Sequence, residues 1–208
     1  MSENATPSNE LIMRYQFESY MKCSDNAFHL IGEGFTAFLL ALNPKEYTRK
    51  YINDKTERSD VIGYAPSVSY SCDHIKGDPC VQEIVNITRN ELVGNDTHRE
   101  IVNVDCWDEV EIYTKTSDVA LGAGKTYYTK DGNTYTAVAE PDVANIESYY
   151  EKSIEYAATK RVYSVIPGNK ADGTDALIYT GTMKAESDLV KGTFNRTTKT
   201  FTLQCKFS

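Results

Sequence analysis

The chain has 208 residues, enough to bury a full hydrophobic core in one domain with an insertion or in two small domains. Its formal net charge of −8 argues against a phosphate-binding surface of clustered Lys and Arg, although DNA could slide past an acidic wall. The longest apolar stretch, residues 35–42, is far shorter than the ~20 residues of a membrane helix. The polar start carries no secretory leader, so we expect a cytosolic origin and reduced cysteines.

The first third of the chain predicts two strands and an exposed arm. Residues 1–10 are expected to be a disordered lead, and alternation over 11–22 predicts a strand. Residues 35–42 are apolar on both faces, which is typical of a central strand between packed layers. Residues 44–60 mix both charge signs with two tyrosines and follow no period, which predicts a long exposed loop or arm.

The middle of the chain carries the best helix signal. Alternation over 67–72 predicts a strand. Asp78 and Pro79 match the N-cap and first position of a helix whose apolar residues follow at 3.6 spacing until Gly94. Residues 101–105 predict another short strand.

Residues 107–160 look inserted between parts of one domain. Asp131-Gly132 predicts a two-residue hairpin turn that places Tyr128 opposite Tyr135. The remaining segments predict short strands separated by turns, at 161–166, 177–185, 191–195 and 201–207. The pattern as a whole predicts a mainly β fold, a β-sandwich or partly closed barrel over 11–106 and 161–208 with one flanking helix.

Two stretches resemble nucleotide- or metal-binding motifs, but their residue spacing does not match those motifs. The stretch 121–126 resembles a phosphate loop, but position 119 is Val where that motif needs Gly. Cys72, His74 and Cys80 lack the second ligand pair of a zinc site, so buried thiols are the preferred interpretation. We therefore predict no catalytic residues, no cofactor and no metal.

Nine short stretches, spread over roughly residues 12–106 and 160–203, stand out together. They are MRYQFE (13–18), GEGFT (32–36), NP (43–44), YINDK (51–55), VIGYAPSVSY (61–70), GDP (77–79), REIVNV (99–104), KGTF (191–194) and KTFT (199–202). In this order along the chain, they resemble the major tail proteins that build the tail tube of long-tailed, siphovirus-like bacteriophages and prophages.

This resemblance implies a β-sandwich subunit that assembles into hexameric rings, which stack into a tube conducting genomic DNA out of the capsid. It implies contacts with copies of itself and with tape measure, tail terminator and baseplate or distal tail proteins. DNA would pass through the lumen without specific binding, and the protein would reside in the virion tail after assembly in the host cytoplasm. The segment 43–60 is similar to the arm that reaches a neighbouring subunit, with these candidate contact residues: Tyr47, Arg49, Tyr51, Asp54, Glu57 and Arg58.

Two other classes of function stay open. A monomeric β-sandwich that binds carbohydrate or a surface would need exposed aromatic residues on one rigid face, and the tyrosines of the insertion could serve. An enzyme would need a pocket with converging titratable groups, for which the sequence offers no candidate set.

Overall fold

The computed structural model describes residues 11–117, 120–172 and 176–203. Within them the molecule is mainly β, as predicted, with thirteen antiparallel strands and one α-helix. The predicted disordered lead and the end of the last predicted strand lie outside the described residues. The elements are β1 (Phe17–Lys22), β2 (Phe28–Leu30), β3 (Phe35–Ala41), β4 (Pro44–Arg49), β5 (Arg58–Tyr64), β6 (Ser67–Asp73), α1 (Pro79–Arg89), β7 (His98–Lys115), β8 (Tyr127–Asp131), β9 (Thr134–Ala137), β10 (Tyr150–Asp172), β11 (Leu177–Ala185), β12 (Val190–Asn195) and β13 (Thr200–Leu203).

Eleven strands form one sheet with the main path β2-β1-β7-β10-β11-β6-β3. The 23-residue strand β10 holds it together: β7 pairs with one side, and β8, β12 and β11 follow one another along the other side. Within the described residues, no helix is both long and apolar enough to cross a bilayer.

The helix α1 begins as the sequence predicts and ends earlier. The Asp78 carboxylate accepts a hydrogen bond from the Val81 N–H at 2.9 Å, which caps the first turn. The prediction that Gly94 ends the helix is wrong: α1 stops at Arg89, and Glu91 already has a positive φ of 50°. The buried side of α1 packs into the larger core, between the helix and the sheet.

A second core lies on the opposite face of the sheet, because neighbouring strand residues such as Tyr20 and Met21 point to opposite sides. There the rings of Tyr20 on β1 and Phe194 on β12 have centroids 4.6 Å apart. Since β7 and β10 lie between those strands, a flat sheet would separate them by about 14 Å. The sheet therefore curls strongly, and an ion pair between Glu18 and Arg196 joins the same two strand regions.

The expectation that residues 35–42 form a central strand is wrong. β3 is an edge strand that pairs with β6 and with no other strand among the described residues. Leu39 is 61% exposed, and Leu40 and Leu42 are also exposed. The strand is apolar on both faces, but the other described residues leave several of its side chains exposed to solvent.

The segment predicted to be an aperiodic loop at 44–60 is instead a β-hairpin. β4 and β5 form their own two-stranded sheet, which we call the arm (residues 44–64). Asn43, with a positive φ of 45°, marks the corner where the arm leaves the body. Its amide donates hydrogen bonds to the Ala65 carbonyl at 3.1 Å and to Ser67 Oγ at 2.8 Å.

In region 107–160, β7 and β10 continue outward from the body as paired strands, with a register shift between Tyr156 and Ala157. The hairpin β8–β9 turns at residues 132–133, not at 131–132. Asp131 pairs with Thr134, and the predicted Tyr128–Tyr135 pair is wrong because Tyr128 faces Ala137. Gly132 has φ of 57°, as the first central position of a type II′ turn requires.

Candidate assembly surface

Three of the six predicted contact residues meet in one cluster on the arm. The guanidinium carbon of Arg49 lies 5.7 Å from the ring centroid of Tyr47 and 5.8 Å from that of Tyr51. Arg49 Nη2 also lies 2.6 Å from Asp60 Oδ2 on the opposite strand. Cation–π contacts at exposed sites stabilise by about 0.5–1 kcal/mol each, so this cluster orders the two tyrosines while leaving both exposed.

The other three predicted residues lie at the tip of the arm. Arg58 Nε lies 3.2 Å from Asp54 Oδ2, and the Asp54 N–H donates to the Tyr51 carbonyl at 2.9 Å, which closes the turn. Glu57 is exposed beside them. The exposed Arg58–Asp54 pair stabilises the turn by only about 0–1 kcal/mol. The six predicted residues therefore lie on one hairpin, in two separate groups.

Sequence reasoning missed the apolar residues of the arm. Ile52 at the tip is fully exposed, and Val61, Ile62 and Tyr64 on β5 are more than half exposed. An isolated two-stranded hairpin is marginally stable in water, and this one presents apolar side chains without a core of its own. The pair Val61-Ile62, two adjacent β-branched residues in a segment predicted to be a loop, was the signal in the sequence.

The free edge of β3 lacks charged residues and proline, two of the usual protections of an edge strand. Monomeric proteins commonly block exposed edges with charged residues, proline, bulges or very short strands. β3 has the sequence FTAFLLA, with no charge and no proline over seven residues, and one register irregularity between Phe35 and Ala37. Its outer N–H and C=O groups thus form an available template for another strand.

A groove of about 370 Å³ separates this edge from β1, and we call it the edge groove. On the β1 side, pairing with the β2 segment ends where the Ile31 N–H donates to the Ser19 carbonyl at 2.8 Å. Among the described residues, no strand pairs with Phe17 and Glu18 on the side that faces the groove. Most of the lining is apolar. The groove is lined by Arg14, Tyr15, Phe17, Glu18, Ser19, Leu30, Ile31, Phe38, Leu39 and Leu40.

A cleft of about 430 Å³ beside α1 collects charged residues, but its central charges are already paired. Arg99 binds the buried carboxylate of Glu83. Glu100 lies between Lys22 at 3.3 Å and Lys160 at 2.8 Å. Partial burial raises the pKa of Glu100, but hydrogen bonds and attraction from the two lysines outweigh burial and lower it overall. These paired charges link β1, β7, β10 and α1.

The three residues considered for a zinc site make different packing contacts. These residues are Cys72, His74 and Cys80. Cys72 and Cys80 are fully buried in the larger core, and burial raises the pKa of the Cys72 thiol to about 12. The His74 ring instead packs edge-on against Tyr179 at 5.7 Å. Over residues 11–117, 120–172 and 176–203, no group of three His, Cys, Asp or Glu residues could hold a metal ion.

No family model matches this sequence, and no curated protein matches it either. Among solved structures, the chain is similar to a chain in the six-fold symmetrised cryo-EM structure of the anti-feeding prophage baseplate. The TM-score is 0.42 at 8% identity, over 88% of this chain and 95% of that chain. A similarity of this size does not assign the chain to a family.

Proposed function

We propose that this protein is a self-assembling structural subunit of the tail tube of a long-tailed bacteriophage or prophage. The ordered sequence stretches that resemble major tail proteins support this proposal. The structural observation that carries it is the uncharged, exposed edge of β3, which leads into an arm with exposed apolar side chains.

Assembly proceeds by edge closure. The free edge of β3 accepts a strand edge from a neighbouring copy, so that N–H and C=O groups now open to water join an intermolecular ladder. Such a head-to-tail contact uses two different surfaces and forms a ring when the rotation closes. Six copies give the ring that the sequence resemblance implies.

The arm makes the second set of contacts. Tyr47, Tyr51 and Ile52 on the arm are all more than half exposed and belong to neither core of the body. Burying these side chains against a neighbouring subunit or ring stabilises the stack by the hydrophobic effect. Aromatic anchors held by Arg49 lose little conformational freedom on binding.

The net charge of −8 suits a conduit, because an acidic wall repels phosphate and lets DNA pass without sticking. In this role the partners are copies of the chain, the tape measure protein, the tail terminator and the baseplate or distal tail proteins. The location is the virion tail, after assembly in the host cytoplasm.

Sedimentation velocity over a concentration series tests the proposal. The full chain should show a species of six subunits' mass and larger stacks above it. A variant in which an Asn-Gly turn replaces residues 46–62 should stay folded and stop short of stacks, because Lys45 and Gly63 are paired and can be joined. A single monomeric species at every concentration of the full chain would overturn the proposal.

A further inference from the structure

The projecting part of region 107–160 is a small two-layer unit. Its strands lie in the order β7-β10-β8-β9, because Tyr150 pairs with Lys115 on one side and Tyr128 on the other. One face of this sheet is covered by a third hydrophobic core. That core contains Tyr127, Ile146 and Tyr149, with Leu121 and Val138 packed against it.

The opposite face carries four tyrosines, Tyr113, Tyr128, Tyr135 and Tyr150, which we call the tyrosine face. The rings of Tyr113 and Tyr135 stack in parallel with centroids 4.0 Å apart. Tyr128 meets Tyr113 edge-on at 5.2 Å, and Tyr150 meets Tyr135 edge-on at 5.3 Å. The four half-buried rings hold one another in place. Binding a ligand would therefore cost little conformational entropy of these side chains.

The hydroxyls of this array are largely unused. The Tyr113 hydroxyl donates to Glu111 Oε2 at 2.8 Å. Those of Tyr128, Tyr135 and Tyr150 make no hydrogen bond within the described part of the chain. Three uncommitted hydroxyls beside apolar rings match a ligand that also combines hydroxyls with weakly apolar ring faces, as sugars do.

Three lysines border the tyrosines on an otherwise acidic protein. Lys152 is paired with Glu111. Lys130 Nζ lies 5.5 Å from the Tyr135 ring centroid. Lys115, across from Tyr150, has no ion pair among the described residues. The face therefore carries net positive charge and complements an anionic ligand.

We propose that the tyrosine face binds an anionic polysaccharide. Sugar rings lie against the tyrosines and exchange hydrogen bonds with their hydroxyls, while Lys115 and Lys130 bind the carboxylates. A polyphosphate chain such as DNA fits less well, since its dense charge requires many more cations than two uncommitted lysines. This site is independent of the β3 edge and of the arm.

Affinity electrophoresis of the full chain tests the site, with polygalacturonate in the gel as the probe and neutral dextran as the reference. Polygalacturonate should retard the protein and dextran should not. Tyr113→Ala/Tyr135→Ala should weaken binding about tenfold. The control pair Val93→Ala/Val143→Ala, which changes exposed apolar residues outside the tyrosine face, the β3 edge and the arm, should bind as the parent does. Lys115→Gln/Lys130→Gln, which leaves the ring array intact, should abolish the preference for the anionic polymer.

Equal retardation by both polymers, or a preference that survives the lysine substitutions, would overturn the proposal. So would absence of retardation by polygalacturonate. If Tyr113→Ala/Tyr135→Ala also failed to polymerise, the face would instead be an interface between copies of this chain.

Discussion

Arg99 on β7 donates through Nε to the carboxylate of Glu83 on α1 at 2.8 Å, and Glu83 is only 5% exposed. The same carboxylate accepts from the N–H of Ser24 at 3.2 Å and from its hydroxyl at 2.6 Å. One buried charge thus ties the helix to a central strand and to the turn after β1. Within the described part of the chain, Arg99 is the cation paired with it.

Arg99→Ala should therefore strongly destabilise the fold. Removing one partner of a buried ion pair leaves an uncompensated charge, and the free energy of unfolding should fall by about 3–5 kcal/mol. Arg58→Ala is the matched control, because it breaks the exposed pair with Asp54 and should change stability by only about 0–1 kcal/mol. Urea denaturation measures both, and equal losses would contradict this account of the pair.

Gly181 should tolerate no side chain. It lies opposite Tyr70 in the sheet, and an added Cβ would sit 2.4 Å from the Tyr70 hydroxyl and 2.5 Å from the Ile166 carbonyl oxygen. Gly181→Ala should lower stability by about 1–3 kcal/mol through overpacking. Gly63→Ala meets no atom within 4 Å and serves as the control in thermal denaturation. The steric explanation fails if the two variants unfold together.

The stability contributed by Glu100 should depend on pH. Its pKa is lowered in the folded state, so its contribution is present above the ordinary value of 4.5 and is lost as pH falls through the folded pKa. Glu100→Gln should be less stable than the parent at pH 7, and the gap should narrow below about pH 4.5. Urea midpoints of both proteins between pH 7 and pH 3 measure this, and a gap that stays constant would contradict the linkage.

The projecting part of region 107–160 should be removable. Glu111 and Ile154 are paired across β7 and β10, so a two-residue Asn-Gly turn can join them in place of residues 112–153. Both body cores lie outside the excised residues, so the shortened chain should fold and assemble. Circular dichroism and sedimentation check the two properties. Loss of folding would show that this region belongs to the core.

A single lysine on the β3 edge should block assembly. Lysine is a common protection of edge strands, because pairing would bury its charge against the incoming strand. Leu39→Lys replaces a side chain that is 61% exposed, so the monomer should fold normally. Val93→Lys changes an apolar residue that is 77% exposed and lies outside any strand, so this variant should assemble as the parent does. Assembly of Leu39→Lys by sedimentation would exclude this edge as the contact.

Local chemistry predicts much of the body correctly. The Asp78-Pro79 pair places the start of α1, and the strand predicted at 177–185 coincides with β11 (Leu177–Ala185). Alternation over 67–72 also identifies the buried side of β6. These signals depend on residues that are close in sequence, so they predict an element without knowledge of its tertiary contacts.

Long-range arrangement was harder to predict. An apolar stretch such as residues 35–42 indicates that both faces of a strand favour burial, but it does not indicate which chain covers them. The arm sequence shows no hydrophobic periodicity because its two strands pair only with each other and neither face packs on a core. The β8–β9 register shifted because Asp131-Gly132 and Gly132-Asn133 are both plausible hairpin turns.

Negative-stain electron microscopy of the purified full chain tests self-assembly most directly. At rising concentration the protein should form rings and then hollow tubes with a continuous axial channel, and Leu39→Lys should form neither. Solid aggregates or featureless monomers at every concentration, with the variant indistinguishable from the parent, would contradict the account.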